Sequence, residues 1–131
     1  MHSVLNSSQI NTITASAFIR SKNLHHHHLA IAISLKTGNV LASATNSATV
    51  TGSIHAEAAA VQQLRQKLRD RVVYSRDILK GIDLVSLRIS KQGQLRLAKP
   101  CPNCRNVMKR FLFIKCCTYS TNCGSLERER Y

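Results

Sequence analysis

Four residues in this sequence combine types and spacing that suit metal-assisted hydrolysis. His55 and Glu57 stand two apart at the predicted start of a helix, and Cys101 and Cys104 stand three apart at the predicted start of another. The i, i+3 spacing puts both thiols on one side of a helical turn, and Pro102 suits a first turn, where its missing N–H costs nothing. Peptide N–H groups and the helix dipole at such an end favour thiolate, the form of cysteine that zinc binds.

The proposed ligands leave one position of a zinc ion open. One histidine and two cysteines make three protein ligands, whereas zinc prefers four, so we expect water in the fourth position, as in catalytic sites. Glu57 is the carboxylate placed to take the proton of that water, and no other acidic residue precedes Asp70. We therefore predict one Zn²⁺ held by His55, Cys101 and Cys104, with Glu57 as the catalytic acid and base.

The pattern His-x-Glu followed by Pro-Cys-x-x-Cys is the signature of zinc-dependent nucleobase deaminases. It occurs here as His-Ala-Glu at 55–57 and Pro-Cys-Pro-Asn-Cys at 100–104. Residues 29–131 thereby resemble the cytidine and deoxycytidylate deaminase superfamily. The resemblance implies hydrolytic removal of the exocyclic amine of a cytosine-type nucleoside or nucleotide, or of an adenine, with release of ammonia. It also implies substrate binding by Asn46, which ends the second predicted strand, and assembly into a homo-oligomer.

The Cys-x-x-Cys pair taken alone fits two other kinds of site. A redox pair would give no role to His55 and Glu57. A structural zinc site would need a fourth ligand. Cys116, Cys117 or Cys123 could supply it, and Glu57 would then have no function.

The charge of the chain leaves its partner open. There are 19 Lys and Arg against 6 Asp and Glu, a net charge of +13. This balance fits a repulsive, solvated surface, a small phosphate-bearing substrate, or a polynucleotide. The alternatives are therefore a polynucleotide or tRNA base deaminase, and a catalytically silent, zinc-stabilised module of the same fold that binds nucleic acid or serves as a scaffold.

Length and composition predict one domain over residues 1–131, with an N-terminal helix and lead-in at 1–24 and a deaminase-like core at 29–131. No apolar run approaches the roughly 18 residues that span a bilayer, and no secretory signal is visible. We expect a cytoplasmic, reducing location, reduced cysteines and no membrane partner. The run from His25 to His28 is interpreted as an exposed loop before a strand.

Hydrophobic periodicity predicts the elements that must position these residues. After a helix around 10–17, strands are predicted at 29–35, 40–45, 83–90, 111–119 and 126–131, and helices at 53–70 and 101–110. Ser53 is the predicted helix cap, residues 46–52 a loop, and Ala58, Val61, Leu64 and Leu68 the buried stripe. This order predicts an α/β fold: a three-layer α/β/α cytidine-deaminase-like domain with a five-stranded mixed sheet and an antiparallel C-terminal hairpin.

The predicted C-terminal hairpin bears on substrate size. Only residues 120–125 separate Tyr119 from Leu126, too few for a parallel crossover, which needs roughly a dozen residues or more. An antiparallel end resembles the free-nucleoside deaminases, whereas polynucleotide deaminases of the superfamily usually run through a helix there. The resemblance favours a small nucleoside or nucleotide, with Arg128 or Arg130 as candidates for holding its phosphate.

Overall fold

The structure is a computed structural model of the chain that describes residues 27–49, 52–90 and 92–131. The strands are β1 His27–Ser34, β2 Val40–Thr45, β3 Ser47–Thr49, β4 Gly52–Ile54, β5 Ile82–Ile89, β6 Leu95–Arg96, β7 Ile114–Ser120 and β8 Leu126–Arg130. The helices are α1 Ala56–Arg69, α2 Ser75–Ile78 and α3 Pro102–Arg110. No helix within these described ranges is long and apolar enough to cross a bilayer.

The main sheet is mixed, which confirms the α/β class. Its strand order is β2-β1-β5-β7-β8, and the short β6 pairs with β5 beside that path. Strand β1 runs antiparallel to β2 and β5, β5 runs parallel to β7, and β7 pairs antiparallel with β8. The sixth strand β6 and the separate β3–β4 pair are additions to the predicted set of five.

Strand β1 shows why the sheet is buried on both faces. Alternate residues of a strand point to opposite faces. Ala30 and Ala32 belong to the apolar cluster under the helices, whereas Leu29, Ile31 and Ile33 belong to a second cluster on the other face. The five consecutive apolar residues of β1, at positions 29–33, suit such two-sided burial.

Helix α1 packs on β1 and β2 through small side chains. Its buried apolar residues are Ala56, Ala60, Val61 and Leu64. Alanines on both the helix and the strands let the two backbones approach closely. Burial of Val61 and Leu64 confirms the centre of the predicted stripe, whereas Ala58 and Leu68 are only partly buried.

Helix α3 packs on the same face of the sheet as α1: Met108 of α3 and Leu64 of α1 lie in the same apolar cluster. The predicted N-terminal helix around residues 10–17 lies outside the described residues. The third layer of the predicted α/β/α arrangement therefore stays a prediction, as does the single-domain boundary.

Some predicted boundaries are wrong because local hydrogen bonds end or start the elements elsewhere. The loop predicted at 46–52 contains β3 and the start of β4. Phe111, predicted to begin a strand, caps α3 by donating its N–H to the Met108 carbonyl. Helix α2, too short to show a period, is capped where the Asp77 carboxylate accepts the N–H of Tyr74 at 3.0 Å.

A buried ion pair joins β5, β7 and β8. The fully buried Asp83 accepts from Thr118 Oγ1 at 3.0 Å and from Arg128 Nη2 at 3.1 Å. Breaking such a pair by removing one partner typically costs about 3–5 kcal/mol, because the remaining charge is left buried and alone. The pair therefore links side chains of these three strands to one another.

Gly81 carries the chain from α2 into β5 with a φ of 103°, a conformation that L side chains rarely adopt. A Cβ there would meet Lys115 Cγ and stand 3.3 Å from Leu35 Cδ1. We expect Gly81→Ala to lower the free energy of unfolding by about 1–3 kcal/mol. Gly38→Ala is the matched control, since φ is also positive there but the space is open. Equal losses for both variants in urea unfolding would show that the close approach adds nothing.

Candidate metal centre

The N-termini of α1 and α3 bring the predicted ligands together. His55 is the N-cap of α1 and keeps an extended backbone, with φ −69° and ψ 148°. The predicted cap at Ser53 is wrong, because β4 keeps the chain extended through Ile54. The His55 side chain makes no capping hydrogen bond, since its ring faces the two cysteines.

Cys101 is the N-cap of α3, with Pro102 in the first turn as predicted. The peptide N–H of Cys104 donates to Cys101 Sγ at 3.4 Å. The Cys-x-x-Cys spacing thus puts one thiol at the cap and the other inside the first turn.

The three side chains form a compact cluster. His55 Nδ1 lies 3.2 Å from Cys104 Sγ and 3.6 Å from Cys101 Sγ, and all three ligand atoms lie within 4.8 Å of one another. In a tetrahedral zinc site with ordinary Zn–N and Zn–S bonds, ligand atoms stand about 3.5–3.8 Å apart. The cluster could therefore hold a metal ion, and its donors suit zinc.

The cluster is open on one side. Cys104 is buried, Cys101 is partly exposed and His55 is exposed. Burial, followed by the nearby Glu57, raises the pKa of the Cys104 thiol. This thiol is therefore protonated without metal, and metal binding must release its proton.

None of the other three cysteines joins the cluster, which His55, Cys101 and Cys104 form alone among the described residues. All five cysteines are free. Cys117 lies in the apolar core, Cys116 is buried on β7, and Cys123 is exposed in the turn before β8. This arrangement provides no fourth thiolate, so it argues against the closed structural site.

Glu57 lies in the first turn of α1 with 1% of its surface exposed. It stands in the turn that follows the N-cap His55, and its charge is one of the causes that raise the pKa of the Cys104 thiol. Its Oε1 has no hydrogen-bond partner among the described residues. A buried polar atom without a partner is costly, and a water held at the metal cluster is a ligand that would satisfy it.

His28 is a residue of this site that the sequence interpretation missed. The expected exposed loop is wrong at this position, because His28 lies in β1 and is 8% exposed. Its Nε2 lies 3.1 Å from Glu57 Oε1 and 2.7 Å from Ser86 Oγ. Strand alternation could have found it, since His28 is in phase with Ala30 and Ala32 on the helix-facing side. Residues 25 and 26 lie outside the described ranges.

Asn46 follows β2, as predicted, and is bonded to the start of β1. Its Oδ1 accepts the N–H of His28 at 3.3 Å, and its own N–H donates to the His28 carbonyl at 3.2 Å. These bonds link Asn46 to the backbone of His28, the residue whose side chain contacts Glu57. Its contact with a substrate stays a prediction.

Arg128 and Arg130, which the sequence suggests as ligands of a substrate phosphate, do not stand beside the cluster. Arg128 is paired with the buried Asp83. Arg130 is in register with Cys116, near the start of β7. The cluster lies towards the other end of this strand, where the Ser120 carbonyl accepts the N–H of Ala98, three residues before Cys101. Exposed cations nearer the cluster are Lys99, two residues before Cys101, and Arg88, in register with His28.

No model of a known protein family matches this sequence, and no curated protein matches it significantly.

Proposed function

We propose that the chain is a zinc-dependent hydrolytic deaminase that acts on a cytosine-type nucleoside or nucleotide and releases ammonia. The observation that carries the proposal is the buried carboxylate of Glu57, with an oxygen that lacks a hydrogen-bond partner, beside a three-ligand cluster. The deaminase signature at 55–57 and 100–104 indicates which reaction a carboxylate beside such a metal cluster would catalyse.

Each residue of the site has a role in that reaction. His55, Cys101 and Cys104 would hold the zinc, which when bound supplies hydroxide at neutral pH by lowering the pKa of a water ligand. Glu57 takes a proton from the attacking water and gives it to the neighbouring ring nitrogen. It then takes the proton of the hydroxyl group now on the ring carbon and gives it to the departing amine. Water adds to the ring carbon, the carbon–nitrogen bond breaks, and ammonia leaves, so Glu57 ends as it began.

The first turn of α1 supports binding of the base. The His55 side chain does not cap the peptide N–H groups of this turn, and we expect these groups to bind a carbonyl oxygen of the substrate. The same turn carries Glu57, so one rigid element would orient the base and move its protons. Such positioning is a large part of enzymatic rate enhancement.

Burial of Glu57 favours turnover over a silent zinc-binding module. A module that uses zinc only for stability gains nothing from a carboxylate that is 1% exposed, and burying such a group carries a cost. The deaminase proposal gives this residue a function. Net charge does not discriminate, because a basic surface serves either function.

Ammonia release by zinc-loaded protein tests the function. The panel comprises cytidine, deoxycytidine, adenosine, the cytosine monophosphates and short single-stranded oligonucleotides. We expect release from at least one cytosine compound, and its loss after chelation of the metal. Absence of release from every member by protein that carries zinc would contradict the proposal and favour the binding module.

We expect small nucleosides or nucleotides to be the better substrates within this panel. The support is the antiparallel pairing of β7 with β8, joined by a short turn. The measurement is kcat/KM at matched cytosine concentration for monophosphates and oligonucleotides. Faster turnover of the oligonucleotide, with a steep salt dependence that reflects several phosphate contacts, would overturn the preference while leaving the deaminase assignment in place.

A further inference from the structure

His28 stands at the junction of β1, β5 and α1, beside the carboxylate that the proposed reaction uses. Its side chain is 10% exposed and Nε2 lies 3.1 Å from Glu57 Oε1. Strand β5 supplies Ser86, whose Oγ lies 2.7 Å from the same nitrogen. One ring nitrogen therefore faces two oxygen atoms from two different elements.

Hydrogen bonding determines which nitrogen of the ring carries the proton. The Ser86 hydroxyl donates its hydrogen to the Ala98 carbonyl at 3.0 Å, so towards His28 its oxygen can only accept. The hydrogen of the ring must then be on Nε2. Burial lowers the pKa of His28, against the opposing effect of Glu57, so the ring is neutral at pH 7 and donates from Nε2.

The same N–H also faces the Glu57 carboxylate. No Lys, Arg or other His nitrogen within the described ranges lies in ion-pair distance of this carboxylate. The N–H is engaged by Ser86, and Oε1 stands beside it without a hydrogen bond of its own. Both oxygens lie within hydrogen-bonding distance of Nε2, so the one N–H can be shared between Ser86 and Glu57.

We propose that His28 is a positioning residue: its Nε2–H, shared between Ser86 Oγ and Glu57 Oε1, holds the Glu57 carboxylate towards the His55–Cys101–Cys104 cluster. The consequence for turnover rests on the proposed deaminase function. The energetic coupling between His28 and Glu57 does not, because it is a property of the folded protein.

The first test is a double-mutant cycle on the thermal unfolding midpoint, which needs no activity. His28→Leu removes the N–H and leaves a buried carboxylate with less support. We expect a clear fall in the midpoint when Glu57 is present and a smaller fall in the Glu57→Gln background. Equal falls in both backgrounds would overturn the proposal, because they would show that His28 only fills space.

The second test is steady-state kinetics of three His28 variants. His28→Leu and His28→Asn cannot place an N–H at the position of Nε2, whereas His28→Gln can. We expect the first two to lower kcat on the order of ten- to hundredfold, with KM and zinc content close to wild type, and His28→Gln to recover most of the loss. The Asn and Gln pair keeps the comparison decisive if the Leu variant does not fold.

Several outcomes would contradict the assignment. Equal kcat losses for Gln and Asn, or a raised KM with unchanged kcat, would show that His28 does not act through Glu57. If wild-type protein releases no ammonia from any substrate, the proposed function fails, and the unfolding cycle alone decides whether His28 supports Glu57.

Discussion

Glu57→Gln is expected to keep the zinc and the fold and to lose turnover by about 10²–10⁴-fold, the usual contribution of general acid–base catalysis. Glutamine has nearly the same shape as glutamate but cannot carry a proton between water, base and leaving amine. The carboxylate is buried in the first turn of α1, so a neutral side chain of equal size fits there. The measurement is kcat for ammonia release, with zinc per chain and circular dichroism recorded on the same samples.

Asp70→Asn is the matched control for the charge change. Asp70 is exposed at the other end of the same helix, so its substitution removes one negative charge without touching the cluster. We expect wild-type kcat for this variant. Wild-type turnover in Glu57→Gln would mean that another group moves the protons, and a loss of zinc in that variant would show that the carboxylate supports metal binding instead.

Cys104→Ala is expected to abolish stoichiometric zinc binding and to lower stability at the same time. Wild type should carry about one zinc per chain. The thiol of Cys104 lies 3.2 Å from His55 Nδ1, so the metal would tie the N-terminus of α1 to that of α3. Because binding energy of a metal is also folding energy, elemental analysis and the unfolding midpoint should fall together.

Two controls separate metal loss from other effects. Cys123→Ala removes an exposed thiol outside the cluster and should leave zinc unchanged. Chelation should shrink the difference in midpoint between Cys104→Ala and wild type, because both then lack metal and only packing differs. Replacing residues 25–27 beforehand removes stray metal binding, whereas His28 must stay because it contacts Glu57. Unchanged zinc in Cys104→Ala would exclude the proposed ligand set.

The predictable part of the site is the part encoded by short spacing. The i, i+3 cysteines and the His-x-Glu pair each lie at the start of one helix, so the residue types and their separation along the chain are enough to predict the ligand set. The hairpin from β1 to β2 was equally local, and the bounds predicted for Val40–Thr45 match the strand. Its turn has the glycine, Gly38, that such a sharp reversal favours.

The missed parts depend on contacts between distant segments. The role of His28 is visible only when Ser86 and Glu57, which are remote along the chain, stand beside it. A run of four histidines resembles an exposed loop. Its last two members prove to be the first residues of β1, which begins two residues before its predicted start. The predicted start of α1 is too early because Ser53 is a good cap by type, whereas pairing of β4 with β3 keeps the chain extended.

X-ray absorption at the zinc edge of the purified protein tests the central claim most directly, because it counts the atoms bound to the metal. The preparation should lack histidines 25–27, so that only specifically bound zinc contributes to the spectrum. The account predicts two sulfur ligands at about 2.3 Å and two nitrogen or oxygen ligands at about 2.0–2.1 Å, one of them exchangeable water. Three or four sulfur ligands, or a shell without sulfur, would contradict an open site made by His55, Cys101 and Cys104.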